Sequence, residues 1–155
     1  NGLFEIVRRR VAASRCREIT WRPARLSSSF HGRDLFAPVA ARLWLGEDPD
    51  DLSRPTDGAR HPDWPDDLAE IVYIDHFGNA MTGLRAAALP ARAALHAGGR
   101  DIPRARTCSD AAPGTPLWYE NANGLAEIAV NRGRAESALG LGIGMPVAVT
   151  ASPAS

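Results

Sequence analysis

Apolar side chains recur along this chain with two different periods. Phe36, Val39, Ala40 and Leu43 fall at i, i+3, i+4 and i+7, which predicts one apolar face of a helix. Leu3, Ile6, Val7 and Arg10 predict a shorter amphipathic helix upstream, and Glu18-Ile19-Thr20-Trp21 reads as a brief strand. Past Asp67 the apolar runs become short and turn-punctuated, predicting strands over Glu70–Phe77, Met81–Arg85, Asp101–Thr107, Pro116–Asn121, Gly124–Val130 and Pro146–Thr150. Leu89–His96 and Arg134–Leu139 read as helical turns between them. Strands this short and closely spaced favour a small antiparallel barrel or sandwich over a parallel sheet. From Gly46 to Asp67, Pro49, Pro55, Pro62 and Pro65 stand among many aspartates with little periodicity, the signature of a linker. The fold expectation is therefore α/β plus all-β. It places the end of an N-terminal α/β domain at residues 1–46, a linker at 47–67 and a small C-terminal antiparallel β-barrel at 68–155.

Composition narrows the function classes. With 155 residues, 45% of them hydrophobic and 23% charged, the chain suits one ordinary globular domain or two small ones. Apolar runs such as Ile71–Ile74 are far too short to cross a bilayer, so no membrane partner is expected. Acidic and basic residues balance at 18 each, which removes any overall attraction to nucleic acid. No lysine is present, which excludes a lysine base, a Schiff base or a phosphate-binding P-loop. Cys16 and Cys108 lack CxxC spacing, and His31, His61, His76 and His96 show no HExxH or HxH pairing, so no catalytic metal is expected. The cysteines read as free thiols of a reducing, cytoplasmic compartment. Asn1-Gly2-Leu3 is neither an initiator nor a signal segment, and reads as the later part of a longer protein.

Candidate chemistry concentrates in three segments. Phe30-His31-Gly32-Arg33-Asp34 sets an imidazole and a glycine on a turn that runs into the predicted helix. Asp34 is placed to cap that helix or to pair with Arg33, and Pro38 is tolerable near its start. The amide cluster at the helix start would favour a polar or anionic ligand group. The second segment is Ile71–Asn79 and the third Asn121–Gly133. Read bare, Asp75 suits a tight loop, Phe77 core packing, Asn79 a left-handed residue after Gly78, Met81 the barrel core, and Val130-Asn131-Arg132 a strand end. Glu127 reads as a structural acid at a barrel rim.

Ser29–Pro38, Ile74–Asn79 and Asn123-Gly124 through Glu127–Gly133 together resemble the S-adenosyl-methionine hydroxide adenosyltransferases, in family order and over almost the whole chain. That superfamily also holds the adenosyl-methionine-dependent fluorinase and chlorinase. The resemblance implies an α/β domain joined to a β-barrel, and a homotrimer whose site lies between one subunit's first domain and its neighbour's barrel. It implies S-adenosyl-L-methionine as the substrate, no cofactor, and attack of water on the ribose C5′ to give adenosine and L-methionine. His31 corresponds to the histidine of a water-holding Asp-Arg-His triad, with Gly32 beside it. The Asp and Arg belong to an upstream motif that these residues do not include.

By the same likeness, Asp75 meets the methionine ammonium, and Phe77 the adenine or sulfonium. Asn79 and the backbone of Val130, Asn131 and Arg132 meet the adenine, and Met81 lines the pocket. Ala122 stands where relatives carry a serine for the methionine carboxylate, which leaves Asn123 to serve there. The fluorinase has Tyr-Ser where this chain has His31-Gly32, a difference that points to water rather than halide. Rival readings are a halogenase, a noncatalytic adenosyl-methionine or nucleoside binding protein, and a structural interaction domain.

Overall fold

A computed structural model describes residues 2, 4–11, 13–58 and 60–151. Its chain divides into two compact units, residues 1–64 and 65–155.

In the first unit, helix α1 spans Glu5–Arg10, with Glu5 paired to Arg9 one turn on at 3.0 Å. Leu3, the first residue of the expected apolar stripe, lies outside the described residues. Strand β1 (Arg17–Ile19) pairs antiparallel with β2 (Ser53–Pro55), and Arg17 Nε donates to Ser53 Oγ at 2.8 Å across the pair. Between them, a π-helical turn at Gly32–Phe36 runs into helix α2 (Ala37–Trp44). Pro38 has no N–H for the Asp34 carbonyl and its ring crowds that position, so the wider turn accommodates it. The predicted apolar face is displaced as a result. Leu35 and Val39 are buried, whereas Phe36 and Leu43 are 56% and 41% exposed. Residues read as linker include helix α3 (Pro49–Leu52), which has Pro49 at its first position and the Asp48 carboxylate capping the Asp50 amide at 2.9 Å.

The second unit carries β3 (Leu68–Ile74), β4 (Ala80–Arg85), β5 (Ala93–Ala97), β6 (Arg100–Ile102), β7 (Pro116–Glu120), β8 (Leu125–Val130), β9 (Ala148–Ala151) and helix α4 (Ala135–Leu139). The strands form two antiparallel sheets, in the orders β3-β4-β8-β7 and β6-β5-β9. The expected helical turn at Leu89–His96 is overturned in its second half, which is strand β5. Alanine favours helix, but Ala93, Ala94 and Leu95 are buried and pair with β9, and Leu95 pairs with β6 as well, so sheet pairing overrides propensity. Gly98 and Gly99, with φ of +57° and +71°, turn β5 into β6.

The molecule is thus mixed α/β with antiparallel sheets. Neither sheet closes into the expected barrel among the described residues. Single bridges tie the first sheet to the segments flanking the second, Glu70 to Pro146 ahead of β9 and Trp118 to Arg104 after β6, in place of continuous ladders. The core lies between the sheets, where Ile71, Leu95, Ile102, Trp118 and Ile128 are fully buried and α4 contributes Ala135 and Leu139. Trp118 joins both sheets: its indole N–H donates to the Ala93 carbonyl of β5 at 3.0 Å. Trp118→Ala is expected to cost about 3–5 kcal/mol, through cavity formation and loss of that bond, read as a lowered denaturant midpoint.

Candidate functional site

His31 and Gly32 belong to the first unit and the other expected site residues to the second. His31 stands at the start of the π-helical turn, exposed, with helical backbone angles and no side-chain capping bond. A Cβ at Gly32 would meet nothing within 4 Å, so the packing of this chain does not require glycine there. Asp34 does not cap the helix. Its carboxylate accepts the Ser27 amide at 3.1 Å and pairs in fork geometry with Arg33, at 2.5 and 3.0 Å. The Arg33 hydrogen bond, helped by the Ser27 amide, holds the Asp34 carboxyl below its ordinary range. The Arg33 guanidinium also lies 4.7 Å from the Phe30 ring centre. Ser27, Phe30, Arg33 and Asp34, with Arg25, Leu26 and Ser28, line an open groove of about 640 Å³, of which His31 and Gly32 are not lining residues.

In the second unit, the loop between β3 and β4 is closed on itself. Asp75 Oδ1 accepts the Asn79 amide at 2.8 Å, Oδ2 accepts Asn79 Nδ2 at 3.1 Å, and the Asp75 amide donates to the Asn79 carbonyl at 3.0 Å. The left-handed residue here is Gly78, at φ +81°, so Asn79 does not take the conformation its bare reading offered. Phe77 is 71% exposed, which removes core packing as its purpose. Met81, half-buried on β4, pairs with Glu127 of β8 on one side and Tyr73 of β3 on the other.

Val130 is 6% exposed and packs in the core, its carbonyl taken by the Gly133 amide. Asn131 is committed to the 111–115 loop, with Nδ2 donating to the Ala111 carbonyl, its amide to Thr115, and its carbonyl accepting from Gly114. Arg132 is exposed and left-handed, at φ +55°. A non-glycine residue held there marks a constrained strand end.

Register decides which of these meet. Ala80 lies opposite Ile128 and Arg85 opposite Leu125, so the Asp75–Asn79 loop and residues 130–132 share one end of β8. Ala122 and Asn123, both exposed, occupy the β7–β8 turn at the other end, where the Gly124 carbonyl accepts the Ala86 amide. Five residue steps of strand separate the ends, about 17 Å.

Sequence reasoning passed over two groups. Arg134 Nη1 donates to the His76 carbonyl at 2.9 Å while the Glu136 amide donates to Gly78, so the start of α4 fixes the Asp75–Asn79 loop. Glu127, read as a rim acid, is 7% exposed and accepts from the Tyr119 hydroxyl and the Asn121 amide. Burial first, and then the Glu127 carboxylate, push the Tyr119 hydroxyl well above its ordinary value. An acidic residue inside an otherwise apolar strand is the sequence signal for Glu127; nothing local marks Arg134. Among the described residues no group of three or more His, Cys, Asp or Glu could hold a metal ion.

Residues 1–53 match the N-terminal domain of the SAM hydroxide adenosyltransferases and residues 69–148 match their C-terminal domain. The chain belongs to the SAM hydroxide adenosyltransferase family. Two similar family members carry the name (R)-S-adenosyl-L-methionine hydrolase. That of Thermus thermophilus is 43% identical over 134 residues, 82% of this chain and 50% of its own length. That of Salinispora arenicola is 41% identical over 143 residues, 84% of this chain and 54% of its own. The chain thus spans about half the length of these curated relatives. An uncharacterised conserved protein of Thermotoga maritima, solved by crystallography, superimposes with a TM-score of 0.76 at 26% identity, over 96% of this chain and 64% of that one.

In this member of the family, the Asp75–Asn79 loop has little tolerance at Gly78. A Cβ there would lie 2.7 Å from the Arg134 Cβ, on a backbone already left-handed. Gly78→Ala is expected to destabilise the protein by about 1–3 kcal/mol, read from the denaturant midpoint.

Proposed function

We propose that this protein hydrolyses S-adenosyl-L-methionine to adenosine and L-methionine, water attacking the ribose C5′. The observation that carries the reading is the His31-Gly32 pair, in a chain 41–43% identical to proteins named (R)-S-adenosyl-L-methionine hydrolase. As the oxygen–C5′ bond forms, the C5′–sulfur bond breaks and its electron pair moves onto sulfur. Methionine departs as a neutral thioether, so the leaving group needs no general acid. The protein's work is to align water with carbon and to exclude other water. His31 orients the attacking water and accepts its proton. The open space at Gly32 leaves room for the incoming oxygen.

Asp75 lies about 17 Å along β8 from the turn that takes the methionine carboxylate, too far to meet the ammonium of the same amino acid. It serves the adenine end by holding Asn79, with one bond to each of its two oxygens. Phe77 presents its exposed ring to the adenine or the sulfonium, Asn79 and the backbone of the exposed Arg132 serve the adenine, and Met81 lines the pocket. The turn carrying Ala122 and Asn123 receives the methionine carboxylate, through Asn123 where relatives use a serine. No cofactor enters the reaction. The reading extends to a cytoplasmic homotrimer with the site between subunits, for which light scattering would give three times the subunit mass.

Incubating the full-length protein with each sulfonium epimer of the substrate in chloride buffer, followed by chromatography with mass detection, should yield adenosine and methionine. 5′-Chloroadenosine would move the protein to the halogenases, and intact bound substrate would make it a binding protein. His31→Ala is expected to lower kcat by at least about a hundredfold with KM changed less than about threefold. Equal losses in both would remove its role. Asp75→Ala, which frees Asn79, is expected to raise KM about tenfold, and an unchanged KM would remove its part in placing Asn79.

A further inference from the structure

The β7–β8 turn is organised by one side chain. Asn121 Oδ1 accepts the amides of Asn123 at 2.9 Å and Leu125 at 3.1 Å, while the Asn121 backbone exchanges bonds with Leu125 and Gly124. Those contacts require the amide oxygen of Asn121 to face the turn and its nitrogen to face away. A primary amide can rotate by half a turn and offer the opposite pattern, which would set its N–H groups against the two backbone N–H groups. The turn's own two N–H groups select the orientation from one side, and an acceptor at the nitrogen end completes the selection from the other.

Glu127 supplies that acceptor. It alternates with the core residues Ala126 and Ile128, yet it is only 7% exposed. No basic side chain pairs with it among the described residues. A buried carboxylate without a counter-charge is costly, and an apolar residue would fill this strand position at lower cost. An ionised carboxylate only accepts hydrogen bonds. Oε2 takes the Asn121 Nδ2 donor at 2.8 Å, and Oε1 takes the Tyr119 hydroxyl at 2.5 Å. The first bond completes the selection, holding the Asn121 amide with its oxygen toward the turn.

We propose that Glu127 is a positioning residue: acting through Asn121, it sets the β7–β8 turn that carries Ala122 and Asn123, and thereby the affinity for the amino-acid end of the substrate. This rests on the reading of that turn as part of the substrate site. Glu127 itself touches no reacting atom. Its two arms separate the idea from a general structural role, because only the Asn121 arm leads to the turn.

The test is steady-state hydrolysis by the full-length protein and its Glu127→Gln, Asn121→Ala and Tyr119→Phe variants, with amide hydrogen exchange on each. Glutamine can present an N–H to Asn121 and so relaxes the selection. Glu127→Gln and Asn121→Ala should each raise KM about tenfold with kcat within about twofold, and the double variant should do no more than either alone. Tyr119→Phe should leave KM within about twofold. Exchange at Asn123 and Leu125 should quicken about tenfold in the first two variants only.

An unchanged KM in Glu127→Gln would overturn the proposal, as would a fall confined to kcat or an equal effect in Tyr119→Phe. Should Glu127→Gln fail to fold, Glu127→Asp keeps the carboxylate on a shorter stem, and a raised KM with quickened exchange at Asn123 is expected there. If the unaltered protein does not hydrolyse the substrate, the functional reading fails by itself. The exchange rates at Asn123 and Leu125 then still decide whether Glu127 holds the turn.

Discussion

The second unit depends on Trp118 holding two sheets in one register. Its indole N–H reaches the Ala93 carbonyl of β5, its backbone N–H donates to Pro103, and its carbonyl accepts from Ala105. Every polar group of this residue is therefore spent on the second sheet or the segment leaving it, while its ring is fully buried in the shared core. Beside it on β8, Ile128 pairs directly with Trp118 and is equally buried. Strand β8 is thus clamped between β4 and β7 at a fixed height. The groups at its two ends, the Asp75–Asn79 loop and the β7–β8 turn, inherit their spacing from that clamp. Loops carry the candidate chemistry, and the packed strands under them supply the precision.

Much of this was legible in the chain because local rules and tertiary context agree. Alternation and turn residues marked β3, β4, β7, β8 and β9 to within a few residues, and Gly140, left-handed after α4, closes the helix where the pattern ends. The misses have two causes. At Ala93–Ala97, residues with helical preference become a strand since the partner of Ala93 and Ala94 is β9, distant in sequence and invisible to a local window. At Phe36, periodicity assumed 3.6 residues per turn where the backbone, accommodating Pro38, winds more loosely.

The site divides along the same line. Asp75, Phe77, Asn79 and Met81 lie together, since a hairpin joins residues that are already neighbours in the chain. Val130 and Asn131 were expected to offer backbone groups outward, but a core position and the 111–115 loop claim them. Arg134 escaped notice because its partner, the His76 carbonyl, lies 58 residues away. The polar row of Tyr119, Glu127 and Asn121 likewise exists only once β7 and β8 are paired, which no single-strand pattern can reveal.

The π-helical turn at Gly32–Phe36 has a consequence for heritable change. Such a turn holds one residue more than an α-helical turn, so loss of one residue between Gly32 and Phe36 could be absorbed by a plain α-helix without breaking it. The helix would survive, but the segment before it would rotate by about 100° relative to α2. His31 would then point to a different side of the molecule while Leu35 and Val39 lost their common face. A lineage carrying that deletion would keep a folded protein and surrender its imidazole, so the length of this segment, as much as the identity of its residues, is what inheritance must preserve.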